Sequence, residues 1–118
     1  MAAPNLISTT NIVGKTQAEW ITTTPTAILT NANNSSTVLR INVLFVTNRS
    51  GISATATVEF YRGAVAYHVV SGLIVDPNTT SIAIGKDTSI YLEEGDALRI
   101  TANQNGVLQY VVSYEVMS

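Results

Sequence analysis

The chain has 118 residues, of which 46% are hydrophobic and only 12% are charged, and eight acidic against six basic residues give a net charge of −2. One histidine and no cysteine exclude thiol catalysis, thiolate metal sites and the usual multi-histidine zinc sites. Nucleic acid is not expected as a partner either, because phosphate contacts need clustered lysine and arginine. The composition therefore favours a protein that associates with other proteins.

The uncharged residues indicate β-structure. Valine, isoleucine and threonine supply about a third of the chain, and these β-branched residues are stiff at χ1 and suit a pleated sheet. No apolar run approaches the roughly 20 residues of a membrane helix, and the N-terminus lacks the basic and apolar regions of a secretory signal. We expect one domain over residues 1–118 that has no membrane partner.

Alternation at period two, broken by turn residues about every ten positions, places the strands. The first covers residues 6–13 and ends at Gly14-Lys15. The following segments are 27–30, 37–47, 54–62, 65–70, 73–75, 81–84, 89–92, 98–102 and 108–116. The last two are expected to form a hairpin, because Asn105-Gly106 between them favours a tight turn. We expect eight or nine short antiparallel strands from these ten segments, which predicts a two-sheet β-sandwich of jelly-roll or immunoglobulin-like type.

The longest predicted strand, 37–47, is apolar on both faces. One face carries Leu39, Ile41, Val43 and Phe45. Leu44 and Val46 make the opposite, outer face apolar as well. A free antiparallel sandwich normally has a polar outer face. Either loops or the N-terminal segment cover this face, or it is a subunit interface.

Residue types that carry chemistry are sparse. Glu93-Glu94-Gly95-Asp96 is acidic enough for calcium but lacks the alternating register of a calcium loop, so an ordinary turn is expected. His68 is expected to be a half-buried strand residue. Trp20, in the irregular stretch 17–20, either covers a sheet edge or makes an exposed contact. We predict no catalytic, cofactor-binding or metal-binding residues, and no enzyme activity.

Three parts of the sequence resemble a known class of protein. They are KDTSIYLEEGDALRITA at 86–102, the ending Ser113-Tyr114-Glu115 and the opening Met1 to Asn5. They are similar to small virion proteins of tailed bacteriophages, particularly phages of cyanobacteria and other marine bacteria. The resemblance implies a structural β-sandwich, made in the host cytoplasm, that decorates and cements the capsid surface.

Physical pattern and resemblance together predict how such a protein acts. It would bury apolar surface across joints between subunits of the major capsid protein, as a homo-oligomer for which a trimer is one option. An extended N-terminal arm, residues 1–13, is expected to take part. The candidate interface residues are Leu6, Ile7, Ile12, Val13, Trp20, Leu44 and Val46. The alternative is a tail or baseplate adhesin that binds a host glycan through Trp20 and the tyrosines.

Overall fold

The computed structural model describes residues 11–118, apart from the side chain of Lys86. These residues form nine strands and one short 3-10 turn, Lys86–Thr88. The strands are β1 (Ile12–Trp20), β2 (Thr26–Thr30), β3 (Val38–Asn48), β4 (Ala54–Arg62), β5 (Val65–Val75), β6 (Thr80–Ile84), β7 (Ile90–Leu92), β8 (Ala97–Ala102) and β9 (Leu108–Met117). Within this range no helix has the length and apolar character that a membrane span requires.

The strands form two antiparallel sheets packed face to face. One, called the β1 sheet, has the order β1-β9-β3-β6, with β7 also pairing with β3; the other, the β2 sheet, has the order β2-β8-β4-β5. The predicted all-β sandwich is confirmed. Most connections cross from one sheet to the other, and this strand order is that of a jelly roll. The topology thus decides between the two sandwich types that the sequence left open.

The predicted hairpin of the last two strands is wrong. β8 belongs to the β2 sheet and β9 to the β1 sheet, so the loop between them crosses the sandwich. Its polar side chains bond to other loops, since Asn103 Oδ1 accepts from Thr55 N at 3.0 Å and Asn105 Oδ1 accepts from Thr23 N at 3.0 Å. A two-residue hairpin instead joins β4 and β5 at Gly63-Ala64. Gly63 and Ala64 both have positive φ there, as a type I′ turn requires.

Two strand boundaries also differ from the prediction. The first strand does not end at Gly14-Lys15, because β1 runs on to Trp20 and pairs along its whole length with β9. Residues 6–10 of that prediction lie outside the described part of the chain. The two segments predicted at 65–70 and 73–75 form a single strand, β5. The strand continues through the gap between them because its pairing with β4 is irregular at Gly72, where φ is +67°. In both places pairing with a neighbouring strand outweighs a local turn signal.

The prediction that Leu44 and Val46 lie on the outer face is wrong. Both side chains are 0% exposed and belong to the core between the sheets. The register between β3 and β9 shifts at Asn42, between Ile41 and Val43. A bulge adds one residue to the strand and reverses the inward and outward positions after it. Ile41 therefore points inward as expected, but beyond the bulge the inward residues are Leu44 and Val46.

Two buried asparagines connect the sheets near the ends of β2 and β3. Asn31 Nδ2 donates to Thr37 O and Leu92 O, both at 2.9 Å. Asn48 Nδ2 donates to Ile52 O at 2.7 Å and to Val75 O at 2.9 Å. Buried amides are stable in this position only because their donors and acceptors are satisfied. Their hydrogen bonds hold the chain at the ends of β2 and β3 against strand ends of the opposite sheet.

Candidate functional site

The outer face of the β2 sheet is polar around Glu59, where its charges are paired, and it exposes one large aliphatic side chain, Ile74, near the end of β5. Glu59 lies between Arg99 and His68, with Arg99 Nη2 at 2.9 Å from Oε1 and His68 Nε2 at 3.2 Å from Oε2. The Arg99 guanidinium also lies 4.4 Å from the centroid of the Tyr61 ring. His68 is a strand residue as predicted, but its side chain is exposed rather than half-buried. This face has the polar groups that suit contact with solvent.

The outer face of the β1 sheet differs, because it carries a row of apolar side chains across all four neighbouring strands. Ala18 of β1 is opposite Val111 of β9, Val111 is opposite Phe45 of β3, and Phe45 is opposite Ile82 of β6. Phe45 is 36% exposed and Ile82 is 60% exposed. We call Ala18, Val111, Phe45 and Ile82 the apolar row.

Polar residues border the apolar row on both sides. On one side Thr47 and Thr80 approach at 2.9 Å between their hydroxyl oxygens. On the other side Arg40 Nη1 lies 3.7 Å from Glu115 Oε1. An apolar patch with a polar border is typical of a protein-protein contact surface. The β1 sheet therefore offers the better surface for association.

Strand β1 forms one border of this face. Ile12, Val13 and Trp20, three of the predicted interface residues, all lie on β1 and are exposed. Their role as an interface stays a prediction, as does that of Leu6 and Ile7, which lie outside the described residues. Leu44 and Val46 are removed from the surface by the bulge at Asn42. Sequence reasoning missed Phe45 and Ile82, because an unshifted alternation places Phe45 in the core.

Trp20 is the last residue of β1 and not part of an irregular stretch. It pairs with Gln109, and its indole is 49% exposed. A shallow cleft of about 270 Å³ lies beside it. The cleft is lined by Ala18, Glu19, Trp20, Gln109, Tyr110 and Val111. Of the two roles predicted for this tryptophan, the exposed contact is the one that its position favours.

Gln17 connects β1 to the other sheet. Its Nε2 donates to Ile28 O of β2 at 2.7 Å and to the Tyr110 hydroxyl at 2.9 Å. Tyr110 is almost completely buried. Burial raises the pKa of the Tyr110 phenol above its ordinary value of 10.0, against a smaller opposite effect of the Gln17 hydrogen bond.

The raised pKa of Tyr110 predicts a loss of stability in alkali. Because the unfolded phenol ionises more readily, its contribution is complete below pH 10 and is lost as the pH rises from 10.0 through the higher folded pKa. Urea unfolding at pH 8 to 11 should therefore show a shallower decline for Tyr110→Phe than for the natural chain. Tyr91→Phe, at an exposed position, should leave the decline unchanged. Equal slopes in all three proteins would contradict the prediction.

The acidic turn at 93–96 is a structural turn. The carboxylate of Asp96 is buried and accepts from Arg62 Nε at 2.7 Å, Arg62 Nη2 at 2.6 Å and the Glu93 amide at 2.8 Å. Hydrogen bonding to Asp96 raises the pKa of the Arg62 guanidinium above its ordinary value. Across the described residues, no group of three His, Cys, Asp or Glu side chains is placed to hold a metal ion.

An open cleft of about 550 Å³ lies between this turn and the β4–β5 hairpin. Arg62 on its wall is bonded to both Asp96 and Glu93, and Glu94 Oε2 accepts from Ser36 N at 3.3 Å. A guanidinium and a carboxylate that satisfy each other offer little to a charged ligand. The cleft is therefore a weaker candidate for function than the outer face of the β1 sheet.

No family model and no curated protein matches the chain. Among solved structures it is similar to a subunit of Bacillus endospore appendages, which are described as disulfide-linked pili. That similarity has a TM-score of 0.52 at 15% identity and covers 99% of this chain and 95% of the other. A chain of infectious bursal disease virus, Gt strain, aligns with a TM-score of 0.44 at 11% identity, over 91% of this chain and 32% of the viral one. At these identities the similarity concerns the fold.

Proposed function

We propose that the protein is a structural subunit that lies on a larger protein surface, and that this surface is the capsid of a tailed phage. The observation that carries the proposal is the contrast between its two outer faces. The β1 sheet presents the apolar row, whereas the β2 sheet presents the paired charges around Glu59. A subunit of a decorating layer needs this arrangement, with one face to bury and one to remain wet.

Attachment through the apolar row requires no chemical reaction. Burying apolar surface contributes about 25 cal/mol per Å², and a weak contact becomes effective when it is repeated over a lattice. The fold neighbour from endospores is described as a disulfide-linked pilus subunit. This chain has no cysteine, so the assembly proposed for it uses no disulfide bonds. The phage capsid as the particular surface is supported by the sequence resemblance.

The test is co-sedimentation of the purified chain with phage capsids that lack it. We expect saturable binding that Ile82→Asp reduces at least about tenfold, because a charge would have to be buried against apolar surface. The matched control is Thr101→Asp, which adds the same charge to the outer face of the β2 sheet and should bind normally. Undiminished binding of Ile82→Asp would reject the apolar row as the attachment surface. Failure of the natural chain to bind would reject the capsid as its partner.

The exposed Trp20 favours a second candidate function, recognition of a host glycan by a tail or baseplate protein. Its indole lies beside the polar groups of Glu19 and Gln109 in a shallow cleft, and aromatic surface next to hydrogen-bonding groups suits a sugar ring. On a glycan array, Trp20→Ala should then abolish binding, while Tyr67→Ala, at an exposed aromatic of β5, should not. A natural chain that binds no glycan would remove this candidate.

A further inference from the structure

Strand β1 leaves one backbone edge of its sheet unpaired within residues 11–118. Asn11 and Ser118 exchange two backbone hydrogen bonds at 3.0 and 2.9 Å, and Ile21 N donates to Leu108 O at 2.9 Å. Because such bonds alternate along an antiparallel pair, the odd-numbered residues of β1 direct their backbone N–H and C=O groups to β9. The even-numbered residues direct their N–H and C=O groups to the free edge. They are Ile12, Gly14, Thr16, Ala18 and Trp20.

A long regular edge of this kind is a template for another strand. The opposite edge of the β1 sheet is less suitable, because β6 has only five residues and is separated from β7 by Gly85 and the 3-10 turn. In addition, Ser81 Oγ of β6 lies 3.5 Å from Ile74 O of β5. Of the two edges of the β1 sheet, the free edge of β1 is therefore the favoured place for sheet extension.

We propose that two copies of the chain pair antiparallel along β1, about a two-fold axis through Gln17. In this register Lys15 of one copy is opposite Glu19 of the other, and the symmetry produces that pair twice. Both side chains are exposed in the single chain, and the described residues provide neither with a salt-bridge partner. Opposite charges in directly opposed positions stabilise a strand pair.

The same register accounts for Gly14 and Trp20. Each Gly14 is opposite the partner's Trp20 on the outer face, and a Cβ at Gly14 would meet nothing within 4 Å. An aromatic ring lying over an edge glycine in the opposed strand is a stabilising arrangement. Residues 14–20 of the two strands overlap, and their free edges together form about eight backbone hydrogen bonds. One dimer thus pairs the charges and covers the exposed indole.

Neighbouring registers do not place Lys15 opposite Glu19. An axis through Thr16 places Glu19 opposite the apolar Val13 and leaves Lys15 opposite Gln17. An axis through Lys15 places the lysine opposite itself, and directly opposed like charges are destabilising. The charge order along the strand, Lys15-Thr16-Gln17-Ala18-Glu19, therefore selects the axis through Gln17.

This pairing goes beyond the proposed function and does not depend on it. It joins the β1 sheets of two copies into one sheet and brings both apolar rows to the same outer face. It predicts assemblies with an even number of copies, in contrast to the trimer that is one option from the sequence. A dimer that ignores capsids would retain this inference and reject the capsid. A monomer that binds capsids would do the reverse.

The first test is sedimentation equilibrium of the full chain and its charge variants. We expect a dimer whose dissociation constant rises at least about tenfold in Lys15→Glu and in Glu19→Lys, because each change creates two like-charge pairs. The double variant Lys15→Glu/Glu19→Lys should restore the dimer. The control Asp76→Lys, which is exposed in a turn away from β1, should leave the equilibrium unchanged. Circular dichroism verifies that each variant is folded.

The second test fixes the register with a single cysteine in a chain that has none. Position 17 on the axis is a non-hydrogen-bonded pair with a Cα separation of about 4.5 Å, within the roughly 4.4–6.8 Å that a disulfide spans. Gln17→Cys should therefore cross-link under mild oxidation faster than Ala18→Cys, whose two copies are offset along the strands.

Three results would overturn the proposal. They are a monomer at every concentration tested, a trimer, and a double charge variant that stays dissociated while folded. Cross-linking of Ala18→Cys as fast as Gln17→Cys would reject the axis through Gln17.

Discussion

Leu44→Ala should lower the free energy of unfolding by about 3 kcal/mol, within the range for truncation of a buried leucine. Leu44 has no exposed surface and lies in the core cluster between the sheets. Its removal leaves a cavity lined by β-sheet residues, whose backbone pairing limits how far they can move to fill it. Urea unfolding followed by circular dichroism measures the change.

The neighbouring residue provides the matched control. Phe45→Ala removes a larger side chain, but the phenyl ring lies on the outer face and is partly hydrated already. We expect a cost of about 1 kcal/mol, because truncation of a partly exposed ring removes less buried apolar area. An uninterrupted alternation along β3 predicts the reverse order, with the phenylalanine the more costly truncation. Measurement of that reverse order would contradict the bulge at Asn42.

The bulge at Asn42 shows why one part of the candidate site escaped prediction. The period of two in β3 is visible in the sequence, and the strand itself lies close to its predicted bounds. The extra residue is visible only in the register with β9, a strand about 70 positions away in the chain. A single shift then exchanges every later inward and outward position. The sequence alone therefore predicts Leu44 and Val46 on the surface and Phe45 in the interior.

The strand pairing was unpredictable for a related reason. The composition and alternation of the sequence are sufficient to predict an all-β sandwich and most strand centres. Asn105-Gly106 favours a turn in any context, but whether the strands that flank it pair depends on packing elsewhere. Here β8 pairs with β2 and β4, while β9 pairs with β1 and β3. Local sequence encodes turns, and the sheet to which each strand belongs is settled by burial of the whole core.

Strand β1 carries three of the predicted contact residues, although the sequence does not predict the strand itself. These residues are Ile12, Val13 and Trp20, and all three are exposed. The strand that unites them was not predicted, because Gly14-Lys15 suggests a break. Pairing with β9 overrides that signal, and in the proposed dimer the glycine lies opposite the partner's Trp20. A residue that weakens the local pattern is thus part of the proposed dimer contact.

Asn48→Ala should destabilise the fold by about 3 kcal/mol, although Asn48 is polar and its truncation removes little volume. The buried side chain makes four hydrogen bonds. Its Nδ2 donates to Ile52 O and Val75 O, and its Oδ1 accepts from the amide and the hydroxyl of Ser50 at 2.9 Å each. Truncation leaves the groups bonded to Asn48 without a hydrogen-bond partner, and buried groups have no water to replace it. Such a loss costs about 1–3 kcal/mol for a fully buried group. Thermal and urea unfolding measure the loss.

Two further variants separate hydrogen bonding from size. Asn103→Ala removes one exposed hydrogen bond, to Thr55 N, and should cost about 1 kcal/mol or less. Asn48→Asp preserves the shape of the side chain but places a carboxylate oxygen, which cannot donate, where Nδ2 faced two carbonyl oxygens. It should therefore destabilise the fold at least as much as Asn48→Ala at neutral pH. If Asn48→Asp were as stable as the natural chain, the two donated bonds could not be what joins the end of β3 to the end of β5.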